Sequence, residues 1–110
     1  MTTESAFINI LRGFAKNPAA RGLLDDAAVV ELGDSCLIIT HDMMAEDVHF
    51  RSSANPADVA WKLVASNLSD LAAKGALPIG VLLGFMLGDD DWDRAFAAGL
   101  QKVLGHYGVA

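Results

Sequence analysis

The chain has 110 residues, a size that suits one domain, and 53% of them are hydrophobic, enough for a core and too many for a disordered segment. A formal net charge of −6 argues against a nucleic-acid backbone or an anionic membrane surface as a direct partner. The single cysteine, Cys36, excludes an internal disulfide and a zinc site built on thiolates.

In chain order, Ala6, Phe7, Ile10, Leu11 and Phe14 recur at helical spacing and predict an amphipathic helix over about residues 4–16. Asn17-Pro18 stops it, and a loop of small residues leads to Leu24. Asp25-Asp26 then enters a strand, Gly33-Asp34 is a two-residue hairpin connection, and the return strand runs from Ser35 to Asp42. Leu37, Ile38 and Ile39 are apolar without alternation, which predicts cover on both sheet faces and a core position for Cys36. Residues 43–50 read equally as loop or short strand. Asn55-Pro56-Ala57-Asp58 is a helix start, with Asn as cap and Pro at the first helical position. That helix is predicted to run to about Lys74, with Gly75 ending it in a left-handed conformation. Ile79 to Leu87 reads as a buried strand, and the apolar run from Ala76 is too short to span a bilayer. Asp89, Asp91 and Asp93 imitate a calcium loop. However, Arg94 stands where such a loop needs Gly and Leu100 where it needs Glu, so the run reads as the cap of a last helix. Trp92, Phe96, Leu100 and Val103 supply that helix's inner face.

The acids are biased, with eleven Asp against three Glu. Asp70 and Ser66 share a helical stripe beside Asn67, where a helix built only for packing would carry Leu or Ala. Pairing of Asp70 with Lys74 on a solvated face is the alternative. A hairpin sets the start of its first strand beside the end of its second, so Asp26 and Asp42 are expected neighbours. If the central helix crosses that end, Asp70 joins them; three clustered carboxylates then call for divalent cations. Three unrelated cap or turn aspartates remain the other reading. His41 and His49 have no zinc-protease spacing, and neither a P-loop nor a dinucleotide fingerprint is present.

Several segments, in order and at matching spacings, carry a family likeness. Leu24-Asp25-Asp26-Ala27-Ala28, Thr40-His41-Asp42, Asp47-Val48-His49-Phe50, Asn55-Pro56-Ala57-Asp58 and Asn67 to Pro78 resemble motifs of the thiamine-monophosphate kinases. That family is related to aminoimidazole-ribotide synthase and selenophosphate synthetase. The resemblance implies an α/β (α+β) fold with a mixed, mostly antiparallel sheet. Helices pack on one face of that sheet, and the other face pairs with a second subunit in a homodimer. It implies that residues 1–110 are an N-terminal ATP- and metal-binding and dimerisation domain whose C-terminal domain is absent. The 110-residue chain alone would then not turn over.

The implied reaction is transfer of the ATP γ-phosphoryl group to thiamine monophosphate, with several Mg²⁺ ions; a cytoplasmic location is the default expectation, because the N-terminus shows no clean signal-peptide core. Asp26, Thr40, His41, Asp42 and Asp70 match metal positions, Thr40 and His41 through side chain or backbone. His49 matches a substrate position, and Tyr107 loosely matches an ATP-binding tyrosine. Leu24, His41, Asp47 and Lys74 depart from the family's glycine, threonine, glycine or small residue, and methionine. The alternatives are an inactive dimerisation or nucleotide-binding module and another ATP-dependent synthase of the same superfamily.

Overall fold

The computed structural model describes residues 2–110. It comprises two compact units, residues 1–40 and 41–110. The first holds helix α1 (Glu4–Arg12), a 3₁₀ segment (Pro18–Leu23) and strands β1 (Ala28–Leu32) and β2 (Ser35–Ile39). The second holds helices α2 (Pro56–Ala73) and α3 (Asp90–Tyr107). The architecture is therefore mixed α/β, with a small two-stranded antiparallel sheet.

In the first unit, Thr3 caps α1 by accepting from the Ala6 N–H. The helix ends at Arg12, a turn short of the prediction, because Gly13 already turns its N–H to Ile10 and Leu11. No residue of α1 is buried. Asn17 accepts from the Ala19 N–H and starts the 3₁₀ segment, in which Arg21, Gly22 and Leu23 follow one another at positive φ. β1 and β2 pair from Ala28↔Ile39 to Leu32↔Ser35, so Gly33-Asp34 is the predicted two-residue turn, with Gly33 at φ 59°. Cys36 is exposed, against the expectation of a core position. It pairs with Glu31 one step from the turn, at the end of the ribbon where residues 31–36 are exposed and nothing packs on the face.

In the second unit the Asn55 carboxamide accepts from the Ala57 N–H, with Pro56 at the first helical position. Gly75 lies at φ 66°; its N–H bonds Ala72 O, and the Ala76 N–H reaches back to Leu71 O, a Schellman closure. Asp89 caps α3 by accepting from the Trp92 N–H, as the rejected calcium loop implied. Gly108, at φ 65°, closes the helix in the same manner as Gly75. α2 buries Val59, Ala60, Leu63 and Val64; α3 buries Phe96, Gly99 and Val103. Their crossing is tight at Gly99, where an added Cβ would stand 2.7 Å from Ala57 Cα. The predicted inner face of α3 is confirmed, since Trp92 and Leu100 flank the Val59–Ala60–Leu63–Phe96 core.

Residues 79–87 are not a buried strand. They hold no regular structure, and Leu82 is 96% exposed. A strand needs a ladder partner for its backbone groups, and the one sheet among the described residues joins β1 and β2 alone. Exposure is uneven along the segment. Val81, Leu83 and Phe85 are less exposed than Leu82 and Met86, and the Phe85 ring stacks on Trp92 and Phe96.

Candidate functional site

The residues singled out by sequence divide between the two units. Asp26 and Thr40 lie in the first; His41, Asp42, His49, Asp70 and Tyr107 lie in the second.

The two adjacent carboxylates of the first unit have different employment. Asp25 pairs with Arg21 Nε at 2.8 Å and accepts from the Asp26 N–H at 2.9 Å. The Asp26 carboxylate has no hydrogen bond or ion pair among the described residues, so its oxygens remain open to a ligand. Thr40 fixes Asp26 from the other strand. Its Oγ1 donates to Asp26 O at 2.9 Å, one step beyond the last ladder pair at Ala28↔Ile39. A hydroxyl that donates its proton keeps lone pairs for a cation. The hairpin argument thus holds as far as Thr40. Leu24, which stands where the family has glycine, sits at φ −98°, a conformation open to any residue.

In the second unit, Asp42 is exposed in non-regular backbone, and the His41 Nε2 approaches Gly84, 3.5 Å from where a Cβ would stand. Asp70 lies on the last third of α2 and is half-buried. Beside it, Asn67 Nδ2 donates to Leu63 O at 2.8 Å, so this polar residue on the apolar stripe is satisfied by its own helix. Within either unit alone, no three His, Cys, Asp or Glu side chains stand grouped to hold a metal among the described residues. The donor set itself is hard: carboxylates, a hydroxyl and backbone carbonyls, the chemistry Mg²⁺ prefers.

His49 sits on a tight turn. The Ala45 N–H donates to its Nδ1 at 2.9 Å, and Lys62 Nζ of α2 donates to its carbonyl at 2.9 Å. Asp47, where the family has a glycine or small residue, adopts φ 62°, the region in which glycine is free of steric cost. The adjoining Phe50 stacks on Trp92, and the two help to line an apolar cavity of about 520 Å³ with Met43, Met44, Phe85 and Met86. At the C-terminal end of α3, Tyr107 lies 5.9 Å from Trp61 and meets His106 edge-on, giving a half-exposed aromatic cluster. Sequence reasoning missed Trp61 and Lys62. An aromatic residue next to a lysine on the outer side of α2's apolar stripe is the signal that was available.

Residues 24–110 match the family model of the AIR synthase related protein, N-terminal domain. The thiamine-monophosphate kinase of Haemophilus influenzae is 40% identical over 99 residues, covering 79% of this chain and 30% of that protein. The enzyme of the same name from Synechococcus elongatus is 32% identical over 108 residues, covering 94% of this chain and 32% of that protein. The solved structure of AaThiL complexed with AMPPCP and TMP superposes with a TM-score of 0.83 at 28% identity. It covers 99% of this chain and 37% of that one. The chain spans about a third of the length of the curated relatives it matches.

Proposed function

Because the chain belongs to the AIR synthase related proteins, as their N-terminal domain, we propose that it supplies this domain to a thiamine-monophosphate kinase. Such a kinase moves the γ-phosphoryl group of ATP onto the phosphate of thiamine monophosphate, releasing ADP and thiamine diphosphate. The observation that carries the reading is the likeness, across nearly the whole chain, to a protein solved with AMPPCP and TMP.

Both reactants are anions, so the barrier is one of charge neutralisation and alignment. Mg²⁺, when bound, would supply that neutralisation. Asp26, Asp42 and Asp70 would hold it with carboxylates, and Thr40 and His41 would add hydroxyl or carbonyl oxygens. The open Asp26 carboxylate beside the committed Asp25 supports this division. His49 donates from Nε2 on the thiamine-phosphate side, and Tyr107 faces the nucleotide. A C-terminal domain completes the site, two copies pair through their sheets, and the enzyme works in the cytoplasm.

A chimera tests the proposal. Residues 24–110 replace the matching segment of the Haemophilus influenzae kinase, and thiamine diphosphate is measured with ATP and Mg²⁺. Turnover is expected, and Asp26→Asn lowers it on the order of 10²-fold, as the loss of one electrostatic stabiliser does. The 110-residue chain by itself is expected to give none. A chimera that assembles and binds ATP but makes no product assigns the segment to a non-catalytic module.

A further inference from the structure

The Ala45–Phe50 turn closes on itself. The Asp47 N–H donates to Phe50 O at 2.7 Å, and the Val48 and His49 N–H groups converge on Ala45 O at 3.2 and 2.9 Å. The Ala45 N–H in turn donates to His49 Nδ1. With Nδ1 accepting in this bond, Nε2 is the ring nitrogen left to donate. That Nε2–H has no partner among the described residues, and His49 is exposed. The turn is poorly suited to an anion on its own. It carries Glu46 and Asp47, and Asp47 is held at positive φ.

Two anchors tie this turn to the helices. One is the Phe50 ring on Trp92, 6.0 Å between centroids. The other is Lys62, whose ammonium bonds the His49 carbonyl. The backbone of Lys62 is itself immobilised, because the next two residues of α2, Leu63 and Val64, are buried. One of its three donors is spent on the carbonyl of His49, in a turn whose sequence carries Glu46 and Asp47.

We propose that Lys62 is a positioning residue. By holding the His49 carbonyl to α2 it keeps the imidazole in the Nε2–H form, and it offsets Glu46 and Asp47 so that a phosphate monoester can approach that donor. The inference rests on the reading of His49 as the residue facing thiamine monophosphate.

The test is ¹⁵N NMR of the imidazole rings in the 110-residue chain, with His49 assigned from a His49→Gln variant. The wild type is expected to show a single Nε2–H tautomer for His49. Lys62→Ala should shift its ring nitrogens towards the mixed-tautomer average, and Lys62→Arg should keep the wild-type pattern. Thiamine monophosphate titrated against the His49 signals should bind about three- to tenfold more weakly to Lys62→Ala, the range that one net hydrogen bond covers. Because Lys62 is exposed, the melting temperature should be unchanged, which separates positioning from a general loss of structure. A Lys62→Ala spectrum and affinity equal to wild type would overturn the inference. If neither the 110-residue chain nor the assembled chimera binds thiamine monophosphate, the reading of His49 as substrate-facing falls instead. The tautomer comparison then decides the role of Lys62 by itself.

Discussion

Glu4–Arg12 and Pro56–Ala73 are both capped amphipathic helices, yet α1 buries no residue, whereas α2 buries Val59, Ala60, Leu63 and Val64. Phe7 and Ile10 on the apolar stripe of α1 are more than half exposed. Phe96, on the helix that packs against α2, is 3% exposed and stacks on Phe85 and Trp92. The difference teaches that pattern and caps make a helix, while burial depends on a second surface of matching shape. Gly99 shows what matching requires: at the α2–α3 crossing only a hydrogen fits against Ala57.

The largest effect that can break this comparison is at Phe96. Phe96→Ala should destabilise the chain by about 3–5 kcal/mol in urea unfolding, against less than about 1 kcal/mol for Phe7→Ala. Equal losses would mean that α1 is covered in solution and that the contrast does not hold for the native protein. Next comes the crossing itself. Gly99→Ala should cost about 1–3 kcal/mol through overpacking. Gly105→Ala, on the same helix with nothing within 4 Å of its added Cβ, should stabilise by up to about 1 kcal/mol. If the two glycines respond alike, close approach is not what sets the helix pair. Removing the cap at Asn55 with Asn55→Ala should lower stability by about 1 kcal/mol, read as a drop in melting temperature.

The smallest expected effect is at Asp47. Asp47→Gly relieves its positive φ and should raise stability by under about 1 kcal/mol in the same melts. The same variant removes one carboxylate from the His49 turn, so it should also tighten thiamine-monophosphate binding. A destabilised Asp47→Gly would show that the aspartate side chain, rather than the turn's geometry, holds residues 45–50 in place.

Local chemistry was legible wherever the partners are near in sequence. Asn55-Pro56, Gly33-Asp34, Gly75 and the Asp89 cap all do what their residue types demand, because each hydrogen bond closes within five residues. The candidate grouping of Asp26 and Asp42, with Asp70, was read from the hairpin and the central helix and then from family likeness; residue type alone does not distinguish Asp25 from Asp26. That distinction came from Arg21, which reaches Asp25, and from Thr40, which ties the Asp26 backbone across the hairpin. Segment 79–87 was misread because apolar content alone cannot supply a neighbouring strand. Cys36 was misread for the same reason, since burial is a property of what lies opposite.

Periodicity, capping residues and turn glycines were thus enough to place the helices and the hairpin, since their energetics are contained in a few consecutive residues. The tight Ala57–Gly99 approach and the reach of Lys62 to the His49 carbonyl belong to the folded chain. Each joins groups that no local rule brings together, and each exists only after helix packing has fixed the backbone on at least one side.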